Sequence, residues 1–234
     1  MRLLAFETAT EALSVAVMVD GQICERFELA PRRHAELALP WADEMLAQAG
    51  VARSQLDAIA VGRGPGAFTG VRLAIAVAQG IALALDRPVV PVSTLAALAM
   101  RAPAGDGDRV LAAIDARMGE VYAAAYRREG DELTALSGEI VAPPDAIALP
   151  DDAGGWLGVG TGFAAVDAAM QQRIGERFAG IDATQLPHAA DVARLAALAY
   201  ARGEAVSAER IEPAYLRNNV ALTLAEQKAL RESR

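Results

Sequence analysis

The stretch Gly62–Leu85, GRGPGAFTGVRLAIAVAQGIALAL, limits the possible folds more than any other part of the chain. Its larger part, Val71–Leu85, has only Arg72 and Gln79 as polar residues and predicts a helix that is apolar on every side. Such a helix must be buried on every side, and it is too short for a bilayer, which needs about 20 residues. One side can pack on the protein's own sheet. The other side must be covered by this chain or by another chain, and its many small residues would let a second helix come very near.

Four glycines stand before this helix, at positions 62, 64, 66 and 70, after the strand-like run Leu56–Val61. They do not form a Walker A motif, because no Lys-Ser or Lys-Thr follows them. The string Gly62–Ala67 fits the dinucleotide pattern G-x-G-x-x-A, but that fold needs an acid at the end of the next strand, and Asp86 precedes the strand Val89–Val92. The pattern therefore favours a tight strand-to-helix turn, with Thr69 as the N-cap of the helix.

The composition argues against several classes of function. The net charge of −8 over 234 residues argues against a chain that grips nucleic acid by its own basic surface. The single Cys24 excludes an internal disulfide and suits a reducing compartment, and two histidines with one cysteine cannot make a zinc site without carboxylates. The N-terminal apolar run is interrupted by Glu7 and is too short for a secretory signal. We therefore expect a cytoplasmic protein without membrane association.

The first half of the chain predicts a three-stranded meander followed by alternating helices and strands. The apolar patterns predict strands at 2–7, 13–19 and 22–29, a helix at 34–49 that Pro40 kinks or delays, the strand and helix described above, a strand at 88–92 and a helix from Ser93 to about residue 100. Residues 102–108, APAGDGD, break this pattern. They predict a boundary between an N-terminal lobe, 1–103, and a C-terminal lobe, 109–234.

The second half repeats the order strand, strand, strand, helix, strand, helix. We predict strands at 109–115, 121–126, 133–141 and 156–159. We also predict a short helix that begins at Pro143-Pro144 and three further helices at 163–174, 189–202 and 221–232. The last of these can pack back on the first lobe. Each half places an acid, Glu7 or Asp115, after its first strand. This order predicts an α/β fold in which each lobe has a mixed sheet with helices on it.

The duplicated order resembles the actin-like ATPase fold (ASKHA, ribonuclease H-like) of sugar kinases, Hsp70 and actin. Five separated motifs resemble one family of that fold, the TsaB (YeaZ) family, in order and nearly from end to end: ETATEALSVAV, GRGPGAFTGVRLAIAVAQG, VSTLAAL, IDARMGEVY and EPAYLRNN. The resemblance implies a non-catalytic partner of the catalytic subunit TsaD. With the ATPase TsaE, that pair makes N6-threonylcarbamoyladenosine (t6A) in tRNAs that read codons starting with A. The broader family was once described as glycoprotease-like, peptidase family M22.

The resemblance also implies that metal chemistry is missing. The catalytic paralogue carries two metal-binding histidines, four apart, where this chain has Thr94 and Leu98, and leucine cannot bind a metal. We therefore expect no catalytic residue, no metal and no cofactor. His34 and His188 have no recognisable nucleophile partner and are interpreted as capping, surface or loop residues, and Cys24 as a packing residue.

The nucleotide site of the actin-like fold is the second feature in doubt. That fold holds Mg²⁺ and phosphates on an acidic, glycine-rich turn in each half, and the first turn here, Glu7 to Thr10, has no glycine. Glu7 and Thr8, with Asp115 and Arg117, therefore form only a vestigial nucleotide site. The alternative, which the sequence supports equally, is that Asp115 caps a turn and Arg117 lies on the surface.

The resemblance places the free sides of the apolar helices against equivalent helices of TsaD. On the long helix, positions 71, 75, 78, 82 and 85 share one side, and 72, 76, 79 and 83 share another. We assign the second side to the partner, because an Arg or Gln buried in the protein's own core would be costly. The predicted interface is Leu37, Trp41, Met45, Arg72, Ala76, Gln79 and Leu83. The alternative is that Trp41 and Met45 belong to the core.

Two rival functions stay open at this point. One is an enzyme of the same fold, a self-associating metal-independent peptidase or a nucleotide-hydrolysing protein, against which the missing histidines and phosphate turns count. The other is a self-associating dimer with no role on tRNA. The expected partners are a TsaD-like catalytic subunit and a TsaE-like ATPase, with tRNA contacted only indirectly and a homodimer formed when the partner is absent.

Overall fold

The computed structural model describes residues 1–217, and its first half forms one five-stranded mixed sheet. The strands and helices in chain order are β1 (Arg2–Glu7), β2 (Ala12–Val19), β3 (Gln22–Leu29), α1 (His34–Ala49), β4 (Ala58–Gly62), α2 (Phe68–Leu85), β5 (Val89–Val92) and α3 (Thr94–Ala99). The strand order is β3-β2-β1-β4-β5. The meander β1–β3 is antiparallel, whereas β4 and β5 join it in parallel because helices connect them.

The second half repeats this arrangement. Its elements are β6 (Arg109–Arg117), β7 (Glu120–Glu129), β8 (Glu132–Ala135), β9 (Ile140–Ala142), β10 (Trp156–Val159), α4 (Ala165–Ile174), β11 (Phe178–Asp182) and α5 (Ala189–Ala201). The strand order is β11-β10-β6-β7-β8, with β9 also paired to β7. Read from the other end, β8-β7-β6-β10-β11 matches the order and the strand directions of the first sheet. The predicted duplication and the mixed sheet in each half are therefore present.

Helices cover both faces of the first sheet. On one face, α1 and α2 pack on β1, β2 and β4 through side chains such as Phe6, Ile59 and Ala78. On the other face, α5 packs on β1, β2, β4 and β5. The second sheet has α3 on one face, beside α5, and α4 on the other. The layers therefore run α1/α2, first sheet, α5/α3, second sheet, α4.

The position of α5 corrects the predicted domain division. The break at 102–108 does lie between the two sheets, but α5 belongs to the predicted C-terminal lobe, 109–234, and packs on the first sheet. The physical reason is the inner face of that sheet, where Leu3, Ala5 and Val90 need an apolar cover. Val192 and its alanine neighbours on α5 supply this cover.

Several predicted boundaries move in the structure. The predicted strand 133–141 is two strands, β8 and β9, the predicted helix at Pro143-Pro144 is one 3-10 turn, and β11 was missed because FAGID has little apolar pattern. Helix α1 runs from His34 through Pro40 without delay, and Gly50 ends it in the left-handed region with φ 66°. The Ser93 side chain caps α3 by accepting a hydrogen bond from the Ala96 N–H. The predicted helix 221–232 lies outside the described residues.

Helix α2 starts earlier than predicted, at Phe68, with Ala67 rather than Thr69 at its N-cap. With 18 residues and a mean hydropathy of 1.7, it meets the length and composition of a membrane span, contrary to the expectation that it is too short. Its two ends, however, connect the adjacent parallel strands β4 and β5 of one sheet. The fold therefore gives α2 a sheet-packing role, and this role accounts for its apolar inner side.

Candidate docking surface and interlobe cleft

Helix α2 has one side on the sheet and one side that the described residues leave open. Its buried residues are Val71, Ala74, Ile75, Ala78 and Ala82, which agrees with the side predicted to face inward. Arg72, Ala76 and Leu83 are exposed, as expected for the side assigned to a partner, with 59% of Leu83 accessible. The helix is thus not covered on every side within the described residues.

Two predicted interface residues on α1 lie in the core. Trp41 is 2% exposed and Met45 is 3% exposed, and both belong to the cluster that packs on the first sheet. The prediction that they face a partner is wrong for this structure, because the four-residue repeat of apolar side chains on α1 marks its inner side. Leu37 is only partly buried and also packs against this cluster. The large apolar residue that α1 exposes is Leu39, at 52%.

Gln79 also differs from its predicted role. It is partly buried, and its side-chain amide donates a hydrogen bond to the carbonyl of Ala208 at 2.8 Å. Its polar group is therefore satisfied within the chain, which removes the reason for assigning it to a partner.

An open apolar groove of ≈ 570 Å³ lies between α1 and α2. Three small residues of α2, Ala76, Gly80 and Ala84, alternate with Val77, Ile81 and Leu85 along its wall. A side chain added at Gly80 would meet nothing within 4 Å. A closely packed helix of the kind expected from the sequence fits such a surface. Sequence reasoning missed Leu39 as a lining residue. The signal was present, because Leu39 is an apolar residue two positions before Trp41 and so lies on a different side of α1. Residues of both helices line the groove, among them Leu39, Ala42, Leu46, Ala76, Gly80 and Ala84.

The glycines before α2 contact the protein's own backbone. A Cβ on Gly70 would overlap the Thr8 carbonyl oxygen, and one on Gly62 would overlap the Glu7 carboxylate. Gly66 approaches Ala9 in the same way. The turn after β1 therefore occupies the space in front of these glycines. This geometry supports the interpretation as a tight strand-to-helix turn and argues against a dinucleotide site, because the glycines allow close approach between segments of the chain itself.

Glu7 is a buried carboxyl at the centre of this turn. It is 1% exposed and accepts hydrogen bonds from the Ala9 N–H at 2.7 Å and the Thr94 hydroxyl at 3.0 Å. Burial outweighs these hydrogen bonds and raises the pKa of Glu7 to about 7. The Thr94 oxygen also accepts a hydrogen bond from the Gly64 N–H at 3.2 Å. This site therefore holds a carboxyl group near the midpoint of its titration at neutral pH.

The two positions that correspond to metal-binding histidines serve the fold. Thr94 binds Glu7, and Leu98 is fully buried in the core under the second sheet. Residues 1–217 contain no group of three or more His, Cys, Asp or Glu side chains that could hold a metal ion. Thr94 therefore serves as a hydrogen-bonding residue and Leu98 as a packing residue.

The predicted nucleotide-site residues do not come together. A cleft of ≈ 1090 Å³ between the two halves is lined by Asp115, Arg117 and Thr161 on one side and by the start of α2 on the other. Asp115 accepts hydrogen bonds from the Arg117 N–H at 2.8 Å and from its guanidinium at 2.9 Å. This pattern fits the alternative in which Asp115 caps a turn and Arg117 lies on the surface.

Glu7 and Thr8 lie beneath the cleft, outside its lining residues. The Thr8 hydroxyl donates a hydrogen bond to the Gly70 carbonyl at 2.7 Å, which fastens the turn to α2. The prediction that these two residues join Asp115 and Arg117 in one site is therefore wrong for this structure. The cause is the close approach of the glycine loop, which closes the turn after β1.

The two histidines and the cysteine have structural partners. The His34 ring nitrogen lies 3.1 Å from the Ala12 carbonyl. His188 is not a free loop residue: it lies 2.9 Å from the Glu25 carboxylate and stacks on Phe27 with ring centroids 4.0 Å apart. Cys24 packs against the first core cluster, as predicted.

Comparison with known proteins gives consistent results. Residues 27–225 match the family model described as "TsaD: tRNA N6-adenosine threonylcarbamoyltransferase". The "tRNA threonylcarbamoyladenosine biosynthesis protein TsaB" of Escherichia coli (strain K12) is 43% identical, over 94% of this chain and 96% of that protein. The protein of the same name from Haemophilus influenzae is 41% identical, over 94% of this chain and 95% of that protein.

A solved structure titled "YeaZ from Pseudomonas aeruginosa" superposes with a TM-score of 0.84 and 48% sequence identity, over 92% of this chain and 99% of that chain. This similarity and the match to the TsaD family model confirm the predicted two-lobed, actin-like α/β fold. The chain belongs to the TsaB (YeaZ) family.

Proposed function

We propose that this protein acts in the biosynthesis of t6A in tRNA as a non-catalytic subunit that binds a TsaD-type catalytic subunit. The observation that carries the proposal is the open apolar surface of α1 and α2. This docking surface comprises the groove between α1 and α2, whose lining includes Leu39, and the outer side of α2 with Leu83. Leu39 and Leu83 are each more than half exposed. A contiguous apolar patch exposed on a folded domain is typical of an interaction site.

The absence of catalysis is supported by what the residues at the expected chemical positions do. Thr94 and Leu98 are occupied with hydrogen bonding and core packing. The turn after β1 is filled by the glycine loop, so Glu7 is sealed from the cleft in which a nucleotide would lie. Function depends on such sites rather than on the fold, so an actin-like fold is compatible with a scaffold.

The relatives' names guide the choice of partner. They describe proteins of threonylcarbamoyladenosine biosynthesis, and the family model is that of the transferase itself. In this proposal a TsaE-like ATPase joins the complex, and tRNA is held by the other subunits, because a net charge of −8 repels phosphates. The complex acts in the cytoplasm, where tRNA is modified.

The docking of a partner is tested with Leu83→Glu. The charge would be buried without a partner in a packed interface, so we expect the affinity for the TsaD-type subunit to fall by about 3 kcal/mol, or ~100-fold. The measurement is titration calorimetry with the two purified proteins, followed by t6A formation on tRNA with the full set of subunits. We expect the loss of binding and the loss of t6A to occur together.

Leu29→Glu is the matched control. Leu29 is 60% exposed, close to the 59% of Leu83, but it lies at the end of β3 and on neither of the two helices, α1 and α2, that form the docking surface. It should bind as the parent chain does. The proposal fails if Leu83→Glu binds as tightly as the parent chain, or if both variants lose affinity equally.

Self-association uses the same surface in this proposal. When the partner is absent, two copies cover their docking surfaces against each other, since exposed leucines on a small-residue groove are self-complementary in an isologous pair. Sedimentation velocity over a concentration series should show a dimer for the parent chain and a monomer for Leu83→Glu. A Leu83→Glu variant that dimerises like the parent would place self-association on another surface.

A further inference from the structure

One end of the docking surface carries a cation that is held in place. Arg72 is exposed, yet its Nε donates a hydrogen bond to the Tyr215 hydroxyl oxygen at 2.6 Å. Its guanidinium carbon lies 3.7 Å from the centroid of the Phe68 ring and 5.4 Å from that of Tyr215. A guanidinium fixed between a ring face and a hydroxyl loses less freedom when it forms its next hydrogen bonds.

The charge of Arg72 is not neutralised within the described residues. Many other arginines of residues 1–217 form an ion pair, for example Arg109 with Asp151 at 2.8 Å and Arg53 with Asp43 at 2.6 Å. Arg72 has no carboxylate within 4.0 Å among these residues. Its two terminal nitrogens therefore keep donors for a ligand outside residues 1–217, in the fork geometry that suits a carboxylate.

The position of Tyr215 is set by its own segment and not by Arg72. Just before it, the Ala214 N–H donates to the Arg63 carbonyl at 2.8 Å, on the first half of the molecule. Just after it, Arg217 donates to the Ala116 carbonyl at 3.3 Å and pairs with Glu120, on the second half. The segment 214–217 thus crosses the cleft with both ends held, and it presents a hydroxyl at a defined place beside α2.

The rings around Arg72 are left open. Phe68 is 58% exposed and Tyr215 is 52% exposed. Phe68, Arg72, Ala76 and Leu83 fall on one stripe of α2, so this cluster continues the docking surface. Aromatic residues, Met and Arg are enriched where protein interfaces concentrate their binding free energy.

We propose that Phe68, Arg72 and Tyr215 form a carboxylate-binding site at the end of the docking surface, and that its ligand is an Asp or Glu side chain of the partner subunit. The inference rests on the proposed function and adds a specific chemical requirement to it. Phe68–Leu85 contains no acidic residue, so α2 of a second copy carries no carboxylate for Arg72 within its own length. An acidic side chain of the partner opposite Arg72 supplies the counter-charge that the described residues leave out.

The test measures binding of the TsaD-type subunit by calorimetry at several NaCl concentrations. Arg72→Glu should weaken binding at least about 30-fold, because it places two like charges together. Tyr215→Phe keeps the ring and removes the hydroxyl, and it should weaken binding about fivefold. Arg72→Met should weaken binding and also flatten its salt dependence, which a purely structural role would not do.

Arg173→Glu supplies the matched control. Arg173 is exposed on α4, and its substitution makes the same charge change away from the docking surface. It should leave affinity within about twofold of the parent value, as surface changes far from an interface do. Asp→Lys and Glu→Lys variants of the partner are then screened against Arg72→Glu. Restored binding by one of them identifies the facing carboxylate.

The outcomes separate this inference from the proposed function. If Leu83→Glu weakens binding and Arg72→Glu does not, the docking surface is right and the carboxylate site is wrong. If Arg72→Glu and Arg173→Glu weaken binding alike, the effect is net charge and the site is again wrong. If the parent chain does not bind the TsaD-type subunit at all, the proposed function itself fails.

Discussion

Burial of Glu7 should make the stability of this protein depend on pH. The pKa of Glu7 rises from 4.5 to about 7 on folding, because the carboxyl group is removed from water. The hydrogen bonds that the carboxyl group accepts lower the pKa, but by less than burial raises it. A change of about 2.5 pKa units at about 1.36 kcal/mol per unit corresponds to about 3 kcal/mol between the two protonation states. Glu7 is fully buried, so solvent screening does not reduce this figure substantially.

The sign of the effect follows from the protons bound in each state. Below pH 4.5 both the folded and the unfolded chain hold the Glu7 proton, and the folded state carries no penalty. Between pH 4.5 and about 7 the unfolded chain has lost this proton and the folded chain keeps it, so the free energy of unfolding falls as pH rises. From pH 5 to pH 8 the loss from this one group is about 2.5 kcal/mol.

Glu7→Gln isolates this contribution. The amide can accept the Ala9 N–H and donate to the Thr94 oxygen, so both contacts of the carboxyl survive. Urea unfolding at pH 5, 6, 7 and 8 should give similar stabilities for the two proteins at pH 5. At pH 8 Glu7→Gln should be more stable than the parent by about 2.5 kcal/mol.

Glu11→Gln, an exposed carboxyl in the same turn, is the control and should leave the pH profile unchanged. Subtracting the parent profile from that of Glu7→Gln cancels the other titrating groups. A difference that stays constant within about 0.5 kcal/mol from pH 5 to pH 8 would refute the conclusion that Glu7 is buried without compensation.

Three further predictions concern the glycine loop, α2 and ligand binding. Gly70→Ala should destabilise the protein by about 3 kcal/mol in urea unfolding, because the added Cβ overlaps the Thr8 carbonyl. Gly80→Ala has open space around it and should stabilise the helix by about 0.5–1 kcal/mol, so equal stabilities of the two variants would contradict this packing. Ile75→Glu should unfold the first half in circular dichroism, because that side chain is 6% exposed, while Leu83→Glu should stay folded; a folded Ile75→Glu would reverse the two sides of α2. Calorimetry with Mg-ATP and metal analysis by mass spectrometry should detect neither micromolar nucleotide binding nor stoichiometric zinc or iron in the isolated chain, and either finding would revive an enzymatic function.

Local patterns predicted most of the fold. Apolar runs of strand length and a four-residue helical repeat located the main elements, because burial against one neighbour imposes a period of two on a strand and 3.6 on a helix. The inner side of α2 was predicted correctly for the same reason, since Arg72 marks its outer side. The repetition of element order predicted two similar sheets, because such a meander with helix-linked strands has few ways to pair.

The sequence alone did not decide which elements share a core. Trp41 and Met45 repeat every four residues whether they face a sheet or a partner, and only the packing of α1 on the first sheet shows that they are buried. Likewise, α5 follows the second sheet in the chain, but it covers the first. An apolar stripe determines that a side is covered, and the tertiary arrangement determines what covers it.

The candidate sites depend on the tertiary structure still more strongly. Glu7 and Asp115 occupy matching places in the two halves, yet the glycine loop seals one and leaves the other at the cleft. Arg72 and Tyr215 are 143 residues apart in the chain, and no local pattern connects them. The sequence by itself determined most of the elements, their repetition and the inner side of α2. Only the tertiary structure decided which distant side chains meet, because contacts between remote segments depend on how the sheets and helices pack and not on local periodicity.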